Sequence, residues 1–293
     1  MEQFIQQVAT GLATGSIYAL LALAVVLIYR STEVVNFAQG EMAMLTTFIA
    51  WTFLTSMNYW LAFFLAVLVA LFIGAMLERV LLRPVEEGPV LNPIIVTLGL
   101  FTALNSIVLW RYGGDPKPFP KVPFFEGGPF SVGTVAISRA NIGVFCVAVV
   151  IMVALYLFFT YTKVGLAMRA TALNRGASRL VGIRVGQMLT LGWALSAGVG
   201  AVAGMLAAPI VFLSTNMMFG LILFAFAAAV LGGLTSPLGA ILGGLTLGVV
   251  QNLAATYNPT ESSVDLAIAF LIIVVVLVIR PTGLLGKRVV RRV

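Results

Sequence analysis

The sequence predicts an all-α fold: a polytopic transmembrane helical bundle of eight to ten spans, some of them broken or re-entrant, with a short cytoplasmic helix. Three observations predict it. The 293 residues are 61% hydrophobic and 9% charged, their mean hydropathy is +1.09, and uncharged apolar runs of the ~20 residues needed to cross a bilayer recur along the chain. We therefore expect a single membrane domain over residues 1–293 rather than a soluble protein with a large core.

Nine apolar runs predict the spans, and two of them differ from a simple crossing. The run 34–55 opens with polar residues, so it is expected to begin as a broken or re-entrant helix. The run 217–256 is divided by GGLTSPLG at 232–239, which leaves two short halves that form either two crossings or a hairpin. The predicted spans are 4–29, 34–55, 59–82, 89–110, 141–160, 187–208, 217–234, 238–256 and 263–280.

Basic residues predict which connections face the cytoplasm. The connection 161–186 and the C-terminal tail each carry five Lys or Arg residues and no acidic residue. We expect both to be cytoplasmic and, with nine crossings, the N-terminus to be outside. The basic residues of these two stretches are Lys163, Arg169, Arg175, Arg179, Arg184, Arg280, Lys287, Arg288, Arg291 and Arg292.

The connection 111–139 is then external. It is rich in proline and glycine, which disfavour a helix and favour rigid extended turns. It is either a surface connector or a docking surface for an external partner, carried by Phe119, Phe124 and Phe125.

The residue inventory argues against an enzyme. The chain has no histidine and one cysteine, Cys146, so disulfides are excluded and no metal-ligand motif is present. It also lacks a nucleotide-binding G-x-x-x-x-G-K-[ST] and a hydrolase G-x-S-x-G. We expect no catalytic residues, no metal and no cofactor. The basic charge is not arranged for nucleic acid, and if ATP drives the protein, the ATPase is a separate chain.

A polar cluster opens the second span, in VVNFAQGEMAML at 34–45. Asn36, Gln39 and Glu41 lie beside Gly40, where a helix can break and expose backbone groups. The predicted topology puts this cluster at the cytoplasmic start of the span. Polar groups within a span either face a water-filled path or gate, or form hydrogen bonds between helices. The same alternatives apply to Asn105, Gln251 and Asn252.

The cytoplasmic segment 163–186 is too polar to cross the membrane and is patterned as one amphipathic helix. Apolar residues recur at spacings of three and four, Arg175 and Arg179 fall on the opposite face, Arg169 lies at its shoulder, and Gly182 ends the pattern. Such a helix either lies on anionic lipid or inserts its apolar face into a groove of a cytoplasmic partner. The predicted apolar face consists of Leu166, Ala170, Leu173, Ala177, Leu180 and Val181.

At four places in order the chain resembles the permeases of the branched-chain amino acid ABC importer family, LivH-type subunit. VVNFAQGEMAM is similar to that family's N-terminal motif, and GLAMRATALNRGASRLVGI at 165–183 is similar to its cytoplasmic coupling motif. AAAVLGGLTSPLGAILGGLTLGVVQNL at 227–253 resembles the glycine-rich C-terminal signature, and RPTGLLG at 280–286 resembles the usual ending. Together the four motifs are distributed in order between residues 34 and 286, over nearly the whole length of the chain.

The resemblance implies a permease of the bacterial cytoplasmic (inner) membrane that forms a heterodimer with a second related permease. Two cytoplasmic ATPase subunits, which use ATP and Mg, and an extracytoplasmic solute-binding protein would complete the importer. It implies that 165–183 docks on the ATPase. It makes the stretch around Asn36, Gln39, Gly40 and Glu41 a family motif, whose residues either line the translocation path or gate or lock helix packing there. The coupling residues that it implies are Gly165, Arg169, Ala170, Asn174, Arg175, Ala177, Leu180 and Gly182.

Two departures from the family pattern leave alternatives open. Gln39 stands where many members have histidine, and Leu166 stands where a basic residue is common. The first departure bears on the substrate, which is a leucine-type amino acid or, as in related permeases, urea or a short amide. The rival functions are a stand-alone secondary transporter or channel, for which Glu41 is the candidate ion-coupling group, and a scaffolding membrane subunit.

Overall fold

The computed structural model describes residues 2–86, 88–89, 91–123, 125, 127–132, 135–257, 271, 274–275, 278 and 283–286. Almost all of the predicted span 263–280, and the basic residues of the tail, lie outside them. The described chain forms ten α-helices and two short strands. They are α1 (Glu2–Thr32), α2 (Gln39–Leu54), α3 (Tyr59–Leu77), α4 (Leu91–Tyr112), β1 (Phe130–Val132), β2 (Val135–Ile137), α5 (Arg139–Tyr161), α6 (Lys163–Leu173), α7 (Arg175–Leu180), α8 (Val185–Val211), α9 (Met217–Gly232) and α10 (Pro237–Tyr257).

The prediction of an all-α, multi-pass membrane protein is confirmed. Six helices of the described chain are long and apolar enough to cross a bilayer, namely α1, α4, α5, α8, α10 and α3, whose span is counted to Val85. The other two predicted crossings, α2 and α9, have 16 residues each. Each is ~24 Å long, shorter than the ~30 Å hydrocarbon core, so these two are the interrupted spans.

The chain divides into two compact units, each assembled from distant stretches of sequence. The first unit contains residues 1–26, 121–146 and 219–293, and the second contains 27–120 and 147–218. The expectation of a single permease domain over the whole chain stays a prediction.

In the first unit, α1 and α10 cross in close backbone contact. A Cβ on Gly244 would collide with the backbone of Ala19, and one on Gly248 would collide with the backbone of Gly15. Small residues let helices approach to this distance in lipid, where packing rather than water exclusion holds helices together. Tyr18 adds a hydrogen bond from its hydroxyl to Gln251 Oε1 at 2.6 Å.

The glycine-rich stretch between α9 and α10 forms a tight turn, also in the first unit. Gly232 and Gly239 face each other with no room for a Cβ on either residue. The described part of the RPTGLLG ending fastens this turn, because the Leu284 N–H donates to Leu231 O at 2.8 Å and the Leu285 N–H donates to Gly232 O at 3.0 Å. The glycine-rich motif 227–253 and the described part of the motif 280–286 are therefore joined by backbone hydrogen bonds.

In the second unit, α8 is the central helix. It packs against α2, α3 and α6, and its middle is buried on every side. A Cβ on Gly74 of α3 would lie 2.5 Å from the carbonyl oxygen of Trp193, so glycine again sets the helix separation. The buried residues of α8 are mostly alanine and glycine, with Trp193, Met205 and Leu206 as the largest fully buried side chains.

The connection after α4 is mostly extended, as its prolines predicted, and it contains the antiparallel hairpin β1–β2. Lys117 and Leu213 exchange both backbone hydrogen bonds, at 2.8 and 3.0 Å, and Trp51 Nε1 donates to Pro118 O at 3.1 Å. Phe119 is buried. The docking surface suggested for this connection is therefore wrong for Phe119, because a buried side chain is not available to a partner.

The other two phenylalanines of that surface have different positions. Phe125 packs against α5, since a Cβ on Gly143 would lie 2.7 Å from its ring. Phe124 lies outside the described residues. The connection is thus anchored to the helices through its own aromatic side chains.

Substituting Gly244 with alanine should destabilise the protein, because the added methyl group would push α10 away from the α1 backbone. The expected cost is about 1–3 kcal/mol, the usual range for overpacking. Thermal unfolding of the purified protein in detergent measures it. Gly99→Ala in α4 is the matched control, since a Cβ there meets nothing within 4 Å. Equal melting temperatures for the two variants would contradict the close α1–α10 contact.

Candidate functional site

The chain does not pass directly from α1 into α2. Glu33 adopts a positive φ of 59°, which reverses the chain, and residues 33–38 are not helical. The Asn36 side chain stabilises this bend, because its Oδ1 accepts a hydrogen bond from the Ala38 N–H at 3.0 Å. The helix then begins at Gln39, five residues after the start of the predicted span 34–55.

The start of α2 lies in the interior of the second unit. Gln39 Nε2 donates to the carbonyl oxygen of Ser196 at 3.2 Å, and the Ser196 hydroxyl donates to Gln39 Oε1 at 2.9 Å. Ser196 lies ~16 Å along α8 from its first residue, near the middle of that helix. The expectation that the motif sits at the cytoplasmic start of a span stays a prediction.

Glu41 lies in the first turn of α2, where the positive end of the helix dipole favours a carboxylate. Its side chain is buried, and Asn105 Nδ2 donates to its Oε2 at 3.2 Å. The same amide donates to Thr215 O, at 3.0 Å, in the connection after α8. One asparagine of α4 thus joins the start of α2 to the residues just before α9, and these are the two short helices.

All four residues predicted to form a path or gate are buried in this structure. Asn36 donates to Gln39 Oε1 at 3.3 Å, so the two amides and Ser196 form one hydrogen-bonded set. Asn36 also lines a cavity of about 80 Å³, whereas Gln39, Gly40 and Glu41 do not. These hydrogen bonds satisfy the side chains of Asn36 and Gln39 where the chain enters α2. The cavity lies next to this point, because Asn36 is one of its lining residues.

The sequence reasoning missed a second polar cluster, at the end of α3. The helix widens into a π turn (Glu78–Leu82) followed by a 3₁₀ turn (Arg83–Val85). Glu78 is 2% exposed, forms an ion pair with Arg83 at 3.2 Å, and accepts a hydrogen bond from the Thr190 hydroxyl at 2.6 Å. Arg83 also donates to Gly186 O at 2.9 Å. The signal was available, since Glu78 is an acid within a predicted span.

Glu86 follows this cluster and lines the same cavity as Glu78 and Asn36. Arg175 Nη1 donates to Glu86 Oε1 at 2.7 Å. Burial raises the pKa of the Glu86 carboxyl, and the neighbouring Arg175 guanidinium opposes that shift. The charged form of Glu86 therefore depends on Arg175.

The cytoplasmic segment is two helices, α6 and α7, and not the single helix predicted from its pattern. Asn174 between them is extended, with φ −157° and ψ 104°. Its Oδ1 accepts a hydrogen bond from the Ala177 N–H at 2.9 Å, which caps α7. The apolar spacing was compatible with a continuous helix, but the asparagine side chain satisfies the backbone better as a new N-cap.

Other residues of this segment fix its ends. Thr162 caps α6 by accepting from the Gly165 N–H at 2.9 Å, and Gly165 lies against the α5 backbone with no room for a Cβ. Gly182 has a φ of +82° and ends α7, as the sequence predicted. The helices are therefore held at both ends and separated by one extended residue.

The predicted apolar face is largely exposed. Leu173 and Leu180 are 86% and 89% exposed, and Ala177 is exposed as well. Ala170 is half-buried. The residues that pack against the rest of the unit are instead small or polar, together with one methionine: they are Gly165, Met168, Thr171 and Ser178. The segment thus presents leucine side chains outward.

The three arginines of this segment have different surroundings. Arg179 is exposed. Arg169 lies back along α5, with Nη2 at 3.5 Å from the carbonyl oxygen of Thr160. Arg175 points inward, to Glu86 and to the carbonyl oxygen of Ser31 at the end of α1. The structure therefore places Arg175 within the unit rather than on the exposed face.

Neither polar cluster resembles a metal or cofactor site. Within the described residues, no group of three or more histidine, cysteine, aspartate or glutamate side chains comes together. The carboxylates are individually partnered, Glu41 with Asn105, Glu78 with Arg83 and Glu86 with Arg175. The arrangement suits hydrogen bonding and ion pairing between helices.

Comparisons with known proteins agree over nearly the whole chain. The family described as "Branched-chain amino acid transport system / permease component" matches residues 7–277. The chain is 32% identical to the high-affinity branched-chain amino acid transport system permease protein BraD of Pseudomonas aeruginosa, over 99% of this chain and 98% of that protein. It is 31% identical to the corresponding protein LivH of Escherichia coli, with the same coverage.

More distant similarities follow. The probable branched-chain amino acid transport permease protein LivH of Methanocaldococcus jannaschii is 26% identical over 93% of this chain and 89% of that protein. Among solved structures, PsaBC from Streptococcus pneumoniae in complex with Fab covers 95% of this chain and 92% of that chain, with a TM-score of 0.49 and 13% identity. That last likeness is too weak to support an inference.

Replacing Asn105 with alanine should destabilise the second unit, because it leaves the buried Glu41 carboxylate and the Thr215 carbonyl without their shared donor. An unsatisfied buried polar group costs about 1–3 kcal/mol, and more when it is charged. Thermal unfolding in detergent measures the loss. Thr102→Ala on the exposed side of the same helix is the control. An unchanged melting temperature for the Asn105 variant would show that the network does not hold the helices.

Proposed function

The chain belongs to the family of branched-chain amino acid transport permeases, and on that basis we propose that it is the membrane-spanning permease subunit of an ATP-driven importer for leucine, isoleucine and valine. It forms half of the translocation path and couples it to a separate ATPase. The observation that carries this proposal is the exposed leucine face of α6 and α7. A cytoplasmic segment that is capped, anchored and apolar outward is suited to a groove on a partner protein.

The importer consists of this chain, a second related permease, two cytoplasmic ATPase subunits and an extracytoplasmic solute-binding protein. ATP and Mg are used by the ATPase subunits, and this chain is not an enzyme and carries no cofactor. It lies in the bacterial inner membrane with its C-terminus in the cytoplasm. The names of the relatives at 31–32% identity favour branched-chain amino acids over urea or short amides.

The coupling residues act in two ways. Leu180 and Ala177 form part of the contact surface, and Asn174, Gly165 and Gly182 set the shape of the segment by capping and ending its helices. Ala170 lies at the edge of the exposed face. Arg169 lies against α5 and Arg175 lies against α1. Neither side chain is part of the surface that contacts the ATPase, and both connect that surface to the membrane helices.

The break before α2 supplies the path or gate. Interrupted helices that begin near mid-membrane are a recurrent way to build such a site. Asn36, Gln39 and Glu41 are sealed by hydrogen bonds here, as a closed gate requires. Glu41 is held by one amide, Asn105, whereas a stand-alone ion-coupled transporter would need a charged site open to the coupling ion.

Substituting Leu180 with aspartate should abolish co-purification of the ATPase, because a charge would be buried in an apolar groove at a cost of several kcal/mol. Affinity purification of the tagged permease, followed by ATP-dependent leucine uptake in proteoliposomes, measures both steps. Leu180→Met is the matched control and should retain the complex, since it keeps the apolar volume. Full uptake by this chain alone without ATP would contradict the proposed function.

The Glu41→Gln variant tests whether Glu41 is part of the translocation path. The amide keeps an acceptor for Asn105, so assembly of the complex should be unchanged, while removal of the charge should lower uptake at least ~10-fold, equivalent to ~1.4 kcal/mol. Glu33→Gln is the control, because Glu33 is an exposed carboxyl in the connection that precedes α2. If Glu41→Gln transports at the original rate, Glu41 only packs helices and is not part of the path.

A further inference from the structure

The cavity beside the break in the second unit is lined by the ends of several helices. It extends from Asn36, in the bend before α2, to Thr32 at the end of α1 and Glu86 after α3, with Trp193 of α8 as a further wall. Its volume of about 80 Å³ is enough for a few water molecules but is smaller than the cavities that hold a benzene ring. For an amino acid to pass this way, the walls would have to move apart.

Arg175 joins two of these walls. Its Nη1 donates to Glu86 Oε1 at 2.7 Å, and its Nη2 donates to the carbonyl oxygen of Ser31. Glu86 lines the cavity directly, and Ser31 precedes the lining residue Thr32. A planar guanidinium can hold two acceptors at a fixed separation, which a lysine ammonium does less well. The two walls can separate only if Arg175 releases one of them.

Arg175 is also the first residue of α7, so a displacement of that helix moves its guanidinium. Asn174, the single extended residue between α6 and α7, is where such a displacement can be absorbed. The pair is partly solvated, with side-chain exposures of 36% for Arg175 and 19% for Glu86. Partly exposed ion pairs have modest strength, so this one can open and close reversibly.

The second ion pair near the cavity differs in this respect. Glu78 is 2% exposed and is bonded to both Arg83 and Thr190. All three residues belong to α8 or to the turns that end α3, and none belongs to the cytoplasmic segment. The Glu78–Arg83 pair is therefore a fixed part of the wall, whereas the Glu86–Arg175 pair connects the wall to a separate helix.

We propose that Arg175 is a cytoplasmic latch: bonded to Ser31 and Glu86, it holds the cavity walls together, and movement of α7 withdraws it so that the cytoplasmic end of the path opens. The inference rests on the proposed docking of the ATPase on α6 and α7. It makes Arg175 a positioning residue that acts on the path, and not a contact residue for the ATPase.

Cross-linking tests the latch in the assembled importer. Glu86→Cys and Arg175→Cys are combined in a Cys146→Ser background, which removes the one native thiol. A bifunctional thiosulfonate about the length of the ion pair then joins the two positions in proteoliposomes. ATP-driven leucine uptake should fall at least ~10-fold and return when a reductant cleaves the link. The fall is measured against the untreated double variant, because both substitutions already remove the ion pair. Each single-cysteine variant is the control for the reagent, and its uptake should be the same before and after treatment.

Removing the latch should uncouple ATP hydrolysis from the substrate. Arg175→Ala should still bind the ATPase, since the exposed leucines remain, but ATP hydrolysis should no longer depend on the substrate-loaded binding protein and uptake should fall. Arg175→Lys, which keeps the charge, should restore part of that dependence. These variants provide the test if the cysteine pair does not assemble.

The outcomes separate the two proposals. If the unmodified chain brings down no ATPase, the proposed function fails. If the complex forms and the cross-linked protein transports as fast as the untreated double variant, the latch alone is overturned, because a merely structural pair tolerates being locked. Arg175→Ala with substrate-dependent hydrolysis and normal uptake would overturn it equally.

Discussion

The pair of hydrogen bonds between Gln39 and Ser196 is the interaction on which the rest of the second unit depends. A helix that begins inside a membrane protein has free backbone N–H groups and a chain bend, neither of which lipid can solvate. Here the Asn36 side chain accepts a hydrogen bond from the Ala38 N–H at the bend. Gln39 attaches the start of α2 to the middle of α8 through its hydrogen bond to Ser196.

α8 holds two of the polar sites in the unit. At its middle it holds Gln39 through Ser196, and near its start it holds Glu78 and Arg83 through Thr190. Met168 of α6 approaches the same helix near Gly192. The segment of α6 and α7, the cavity and α2 therefore all contact the same helix, α8.

The elements that follow from hydropathy and caps could be predicted, and those that depend on long-range partners could not. The apolar runs located the described spans, and Gly182 ended α7 as expected. The spacing of apolar residues over 163–186 predicted one continuous helix. The side chain of Asn174 instead caps a second helix, because its Oδ1 accepts a hydrogen bond from the Ala177 N–H. Glu78 was overlooked because its partners, Arg83 and Thr190, are apparent only once α3 and α8 are packed together. Phe119 was taken for a surface residue because a proline-rich connection does not reveal which of its aromatics turn inward.

By itself the sequence determined that this is a membrane protein, the order and approximate limits of the helices, and the positions of two polar stretches, 34–45 and 163–186. These features could be predicted because they depend on local properties of the chain: the length of each hydrophobic run and the positions of proline, glycine and arginine. None of them requires knowing which distant residue lies nearby. Only the tertiary structure decided the depth at which α2 begins, which carboxylate meets which cation, and that Arg175 points inward while Leu173 and Leu180 face outward. Those features are set by hydrogen bonds and ion pairs between residues as far apart as Gln39 and Ser196 or Glu86 and Arg175, whose proximity exists only when the helices pack.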